Sequence, residues 1–310
     1  MSAFWSVDQL ATAARHRLRA GDIPFTVVAG KSRWPVCLVM AGVHGDEYEG
    51  PAAIHDLCAE LDPAAISGTV VFVPVANARA FAAATRRHPD DDGDLNRAFP
   101  GNPDGGPTER LAHLLMQEFV LGADCILSLH GWSKEAMVMP YVECPEGEAA
   151  AAIRSRAAAQ ALGFEYVHPY AWPAGVLGWA TVPHGIPTVE CEIGGMGTTT
   201  AEGRARYRDV ILRFLAHFEV LCYDAPPAPQ ARLIGHTEVL AQHSGLFRSS
   251  RKLGESLHAG ERFGEICSMS GERREPVCAS AGGFLGLLRT LASVRPGDLV
   301  AQIFWERHES

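Results

Sequence analysis

The sequence predicts an α/β fold, a mixed, mostly parallel sheet flanked by helices, followed by a small C-terminal all-β barrel-sandwich unit. Three observations carry this expectation. Strand-like apolar runs alternate with helix-like segments through the first two-thirds of the chain, the pattern of a sheet covered on both faces. Pro226, Pro227 and Pro229 then break the chain within Asp224–Gln230, where no helix can continue. Beyond that point the sequence turns to short β-runs punctuated by glycine. Two domains are therefore expected, a catalytic one over 1–225 and a small β unit over 226–310, as suits a chain of 310 residues.

In chain order, Val36–Ala41, Val70–Val75, Cys125–Leu129 and Thr188–Ile193 read as strands, because each is apolar on both faces or nearly so. Gly50–Glu60, Thr108–Val120 and Glu148–Leu162 read as helices, the second opened by Pro107 and Thr108. The strongest helix is Ala201–Leu221, where Tyr207, Val210, Ile211, Phe214, Leu215, Phe218 and Leu221 recur every three or four residues as one buried face requires. Thr85–Pro107, rich in Asp, Gly, Pro and Arg, is a long loop, and long loops in compact domains are often functional. In the last third, Gly245, Leu257, Gly260 and Ile266 return 37 residues later as Gly282, Val294, Gly297 and Ile303, so two similar halves are expected. This part resembles the biotinyl/lipoyl-type barrel-sandwich fold, but Lys252 lies between Arg251 and Leu253 and lacks a Met-Lys-Met attachment turn, which favours a scaffolding or gating role over a carrier role.

Composition narrows the function. Hydrophobic residues at 47% and charged ones at 20% are globular, and there is no uninterrupted apolar run of the ~18 residues a membrane span needs. A formal charge of −9 disfavours a phosphate backbone as partner. Met1–Leu10 carries no basic segment followed by an apolar core, so a cytoplasmic location is the default expectation. The eight cysteines include no Cys-x-x-Cys pair and several fall in apolar runs, which suits buried free thiols.

The chemistry concentrates at strand ends. His44-Gly45-Asp46-Glu47 follows one apolar run and His130 ends another, and ligands in such sheets gather beyond the carboxyl ends of the strands. Two imidazoles and a carboxylate form the three-ligand set that holds catalytic zinc with a fourth position open. Asp46 ranks below Glu47 as a ligand. Glu190 and Glu192 lie two apart on a strand and share a face, so a carboxylate there is placed to act as general base, while Glu190 reads equally as a salt-bridged group. In the long loop, Asn96 and Arg97 stand side by side, suited to gripping a carboxylate, with Arg86 and Arg87 upstream as a second cation. Amide hydrolysis is the reaction this set suits best.

With these residues assembled, the chain resembles the succinylglutamate desuccinylase/aspartoacylase family, related to zinc carboxypeptidases. The matching segments are Gly42–Gly50, Asp94–Gly101, Leu129-His130 and Glu192–Gly195, in the family's order. The resemblance implies a zinc carboxypeptidase-like fold, one zinc ion held by His44, Glu47 and His130, and Glu192 as general base. It implies further that Asn96 and Arg97 hold the substrate's carboxylate and that Arg87 polarises the carbonyl. The likeness of Gly45–Pro51 and His88–Gly101 points to the bacterial N-acyl amino-acid deacylases, which include N-acetyl-diaminobutyrate deacetylase-like enzymes. The expected partner is thus a small N-acyl amino acid or amine, with no nucleic acid or membrane, and a homo-oligomer is left open. A metallocarboxypeptidase and a non-catalytic metal- or ligand-binding protein are the alternatives. Two departures stand out: Ser128 occupies the position two before the last metal histidine where many relatives carry Asp, and Gly131-Trp132 follows that histidine where small residues are usual.

Overall fold

The computed structural model describes residues 7–307; residues 1–6, part of the segment read for a leader, lie outside it. In chain order the strands are β1 (Ala14–Ala20), β2 (Ile23–Ala29), β3 (Val36–Ala41), β4 (Thr69–Val73), β5 (Cys125–His130), β6 (Ala136–Pro145), β7 (Tyr166–Tyr170), β8 (Thr188–Gly195), β9 (Arg232–Leu240), β10 (Gly245–Ser249), β11 (Ser256–Leu257), β12 (Arg262–Cys267), β13 (Arg274–Cys278), β14 (Gly283–Arg289), β15 (Ser293–Val294) and β16 (Leu299–Glu306). The helices are α1 (Glu49–Glu60), α2 (Ala78–Ala83), α3 (Pro107–Leu115, continued by a π turn over Met116–Val120), α4 (Ala150–Ala161), α5 (Leu177–Thr181) and α6 (Ala201–His217).

A large mixed sheet runs β1-β2-β4-β3-β5-β8-β6-β7-β9-β16-β14-β11. Its centre, β4-β3-β5-β8, is parallel and almost wholly buried, because helices cover both faces. On one face α1, α4 and α6 bury Ile54, Leu57, Ala158, Leu162, Tyr207 and Phe214 against the strands. On the other, α3, its π turn and α5 contribute Leu115, Met116, Phe119 and Leu177 to a second core that also takes in the β1–β2 hairpin. Each such side chain contributes roughly 1.5–3 kcal/mol when fully buried. The α6 face follows the expected spacing, but the helix stops at His217 because Glu219 adopts a left-handed φ of 58°.

The expectation of a mostly parallel sheet needs correction. The pairings of β1–β2, β2–β4, β6–β8, β6–β14, β9–β16, β11–β14 and β14–β16 are antiparallel. For β6 the cause is connection length. Residues 131–135 between β5 and β6 are too few for the crossover of a dozen or more residues that a parallel neighbour demands. The sheet also curls on itself: β6 pairs with β7, β7 with β9, β9 with β16, β16 with β14, and β14 again with β6, a closed five-strand ring.

The 37-residue repeat is visible as geometry. β10-β11-β12 and β14-β15-β16 are its two copies, and they exchange pairings reciprocally: Gly245 faces Val294 and Leu257 faces Gly283. Phe247, Leu257, Phe263, Leu285, Val294 and Ile303 fill the core between them. A smaller sheet, β13-β12-β10-β15, covers that core. All eight cysteines are free thiols, and among the described residues no helix is long and apolar enough to cross a membrane.

Candidate active site

The site lies where three strands end together. Parallel register sets Ser128 of β5 opposite Glu190 of β8 and His130 opposite Glu192, and antiparallel register sets Glu143 and Tyr141 of β6 opposite the same two glutamates. Residues two apart on a strand, and residues directly opposite, share a face. Two rows result, Ser128–Glu190–Glu143 and His130–Glu192–Tyr141, all facing one side of the sheet.

The His44–Glu47 segment reaches these rows from the end of β3. Gly42 turns the chain with a φ of 63°, and Gly45 lets it pass so close to α2 that a Cβ there would stand 2.0 Å from the Ala80 carbonyl carbon. His44 Nδ1 then lies 2.8 Å from Glu47 Oε1, His130 Nδ1 lies 3.2 Å from Glu47 Oε2, and the two Nδ1 atoms are 3.4 Å apart. All three residues are buried, at 2–3% exposure, and form a metal-competent cluster. The far nitrogens are engaged too: His44 Nε2 is 3.2 Å from Asp94 Oδ1 and His130 Nε2 is 2.9 Å from Ser128 Oγ. Asp46 points elsewhere, accepting from the Lys134 N–H at 3.2 Å. From behind the sheet, the Tyr207 hydroxyl of α6 donates to the carbonyls of His130 and Cys191, fixing the strand ends.

Electrostatics are strongly coupled. Burial and Arg86 lower the His44 pKa, but Glu47 and Asp94 outweigh them and the net shift is upward. Burial lowers that of His130, and Glu47, Glu190 and Glu192 more than reverse it. Burial alone would raise Glu47, yet the two imidazoles hold it well below the carboxylate range. Glu192 goes the other way: burial and the Glu47 charge push it well above its ordinary value. Its Oε2 is buried with no hydrogen-bond partner.

A cavity of about 120 Å³ opens onto this cluster. Arg97 lines it. Asn96 also lines it but is tied into the wall: its amide donates to Glu190 Oε2 at 2.9 Å and accepts from the Leu177 N–H at 3.0 Å. That leaves one amide hydrogen for a ligand. The expectation for Arg87 is overturned. Its guanidinium is half-exposed and turns back to the Asp92 carbonyl at 3.0 Å, outside the cavity. The neighbouring Arg86 lines the cavity instead, with Nη1 3.3 Å from Glu47 Oε1 and Nε 3.4 Å from Asp94 Oδ2. Adjacent residues of an irregular loop point in different directions, so sequence counting could not choose between them. Trp132 stands on the cavity wall.

The opposite wall comes from the five-strand ring. Tyr141, Glu143, Tyr170, His236, Glu238 and Gln302 line it, and no local motif marked any of them. Glu143 is the hub: Tyr141 Oη–H donates to Oε1 at 3.2 Å, His168 Nδ1 lies 3.2 Å from the same atom, and Trp172 Nε1–H donates to Oε2 at 3.3 Å. Burial would raise its pKa, but His168 and Trp172 hold it below the usual range, so it stays ionised.

Comparison with known proteins converges on one family. The model of the succinylglutamate desuccinylase/aspartoacylase catalytic domain matches residues 34–218. The chain is 33% identical, over 91% of its length and 85% of the relative's, to the N-alpha-acetyl-L-2,4-diaminobutyric acid deacetylase of Halomonas elongata. It is similar to the product-bound structure of the ectoine utilization protein EutE (DoeB) from Ruegeria pomeroyi, with a TM-score of 0.85 and 27% identity over 91% of this chain and 88% of that one. A succinylglutamate desuccinylase from Silicibacter sp. TM1040 superposes with a TM-score of 0.88 and 27% identity over 99% and 98% of the two chains. From the shared catalytic-domain match and this near-full-length similarity, the chain belongs to the succinylglutamate desuccinylase/aspartoacylase family.

Proposed function

We propose that this protein is a zinc-dependent amidohydrolase that removes a small acyl group, acetyl or a short dicarboxylic acyl, from an N-acyl amino acid or related amine. The observation that carries the reading is the convergence of His44 Nδ1, Glu47 and His130 Nδ1 beside the unpartnered Glu192 carboxylate, in one small cavity. The donor set fits zinc. Two nitrogens at roughly 2.0–2.1 Å from a tetrahedral zinc stand about 3.3 Å apart, and the two imidazole nitrogens are 3.4 Å apart. When bound, zinc supplies Lewis acidity, polarising a carbonyl and making water acidic near neutral pH.

The remaining work falls to the chain's own side chains. Arg97 takes the substrate's carboxylate, with the spare amide hydrogen of Asn96 beside it. Arg86 aims its guanidinium at the acyl oxygen, where negative charge develops as the carbonyl becomes tetrahedral. Glu192, whose Oε2 is buried without a hydrogen-bond partner, is free to act as the base: it takes a proton from the attacking water and returns it to the departing amine.

The finer substrate class follows from the far wall. The ionised Glu143 and the neighbouring Glu238 and Tyr170 suit a substrate whose amine part carries a positive charge, in line with the diamino acid in the Halomonas relative's name. Location in the cytoplasm is part of the same proposal. The test is amine release from a panel of N-acetyl and N-succinyl amino acids and diamino acids, with chelator and with zinc restored. Chelator-sensitive turnover that zinc restores, fastest for diamino substrates, is expected. Zinc bound with no turnover on any member overturns the reading.

A further inference from the structure

A metal-ligating histidine that binds through one ring nitrogen needs its other N–H held by an acceptor, commonly a carboxylate, and the quality of that hold sets ligand orientation and basicity. His44 has such a carboxylate in Asp94. His130 lacks one on its own strand, because Ser128 occupies the position two residues before it on the same face. With Nδ1 turned toward Glu47 and the metal cluster, the proton of His130 sits on Nε2, which donates to Ser128 Oγ at 2.9 Å. A hydroxyl acceptor is neutral and cannot complement a positive metal centre as a carboxylate does.

The missing charge is present one strand away. Glu190 is the direct register partner of Ser128 across the parallel β5–β8 ladder, and its Oε2 stands 3.5 Å from His130 Nε2. The carboxylate is buried, at 4% exposure, and is aimed by Asn96, whose amide donates to that same oxygen at 2.9 Å. Its other oxygen, Oε1, is buried without a partner. An ionised acid buried this deeply is costly unless it faces positive charge, and the His130 imidazole is the group placed to supply it. We propose that Glu190 is the positioning carboxylate of His130, acting together with the Ser128 hydroxyl, and that Asn96 serves to aim it.

This inference rests on the metal reading, and zinc affinity separates the two. Metal-free protein is titrated with zinc in competition with a chromophoric chelator, for the wild type, Glu190→Gln, Ser128→Asp and the double variant. Glu190→Gln is expected to weaken zinc binding roughly 10–100-fold, the usual effect of losing such a partner. Ser128→Asp in that background restores affinity to within a few-fold of wild type, because an acid then stands on the strand that carries His130. Ser128→Asp alone places two acids opposite one another and weakens binding. The His130 Nε2–H proton resonance of the zinc-loaded protein moves in Glu190→Gln and returns in the double variant, a change that a packing role would not produce. Wild-type affinity in Glu190→Gln, or no rescue in the double variant, overturns the proposal while leaving the metal reading intact. A wild type that binds no zinc overturns both.

Discussion

At the scale of single residues, the site turns on which of two adjacent arginines faces it. Arg86 is held between Glu47 and Asp94, at 3.3 and 3.4 Å, so its direction is set before any substrate arrives. Burial would lower its pKa, but Asp94, Glu47 and Glu192 together raise it further, and the guanidinium remains a fixed cation. Arg87 hydrogen-bonds only within its own turn. Losing one donor to a developing oxyanion costs about 10²–10³-fold in turnover. Arg86→Ala is therefore expected to lower kcat/KM for amide hydrolysis by that factor, and Arg87→Ala to stay within about twofold of wild type. Steady-state amine release measures both, and equal losses in the two variants would remove the assignment. The metal-type triad was legible in the sequence because His44, Glu47 and His130 each sit at the end of an apolar run. Asp94 and Glu143 were not assigned their roles, because a residue that orients another is recognised by contact and has no motif of its own.

At the scale of elements, the loop over 85–107 delivers Arg86, Asn96 and Arg97 to the cavity and Asp94 to His44, and one acid ties it to α3. Asp91 accepts from the Thr108 N–H at 2.9 Å, from the Thr108 hydroxyl at 2.6 Å and from the Gly93 N–H at 3.2 Å, binding the loop to the first turn of α3. Burial would raise its pKa, yet these donors and His88 hold it below the ordinary 3.8. A carboxylate lowered on folding stabilises the protein fully above its unfolded pKa, and that contribution fades as pH falls through the folded value. Asp91→Ala is expected to cost about 1–2 kcal/mol, as for loss of a helix N-terminal acceptor. The gap in thermal midpoint between wild type and variant should be constant above about pH 5 and close as pH falls below about 4. A gap that widens on acidification would contradict the sign. Elements of this kind divide cleanly by legibility. The central strands β3, β5 and β8 were readable because both their faces are buried. The hairpin strand β1, with burial alternating along Ala14–Ala20, and β6, interrupted by Pro140, offered no such run and were missed.

At the scale of the whole molecule, the C-terminal strands complete both the fold and the cavity. The ring closes because β9 pairs with β7 and β14 with β6, contacts between residues more than sixty positions apart that no local pattern encodes. The 37-residue repeat announced two similar halves, but not that β11 of the first and both β14 and β16 of the second would join the larger sheet. One buried cluster shows the interdependence: Ala136, Val138, Tyr141 and Tyr166 pack against Ile234, Leu287 and Phe304. Removing residues 226–310 takes away those last three side chains, each contributing roughly 1.5–3 kcal/mol, and frees hydrogen-bonding edges on β6 and β7. It also removes His236, Glu238 and Gln302 from the cavity wall. Losses of that size are comparable to the whole stability of an ordinary domain, about 5–15 kcal/mol. A chain ending at residue 225 is therefore expected to aggregate or to lack a cooperative denaturant transition, judged by size-exclusion chromatography and a urea melt against the full chain. If it instead unfolded cooperatively as a monomer and still bound zinc, the ring would be a wall added to a self-sufficient catalytic part. Restoring hydrolysis of a neutral N-acetyl amino acid but not of a diamino substrate would then locate the selectivity in that wall.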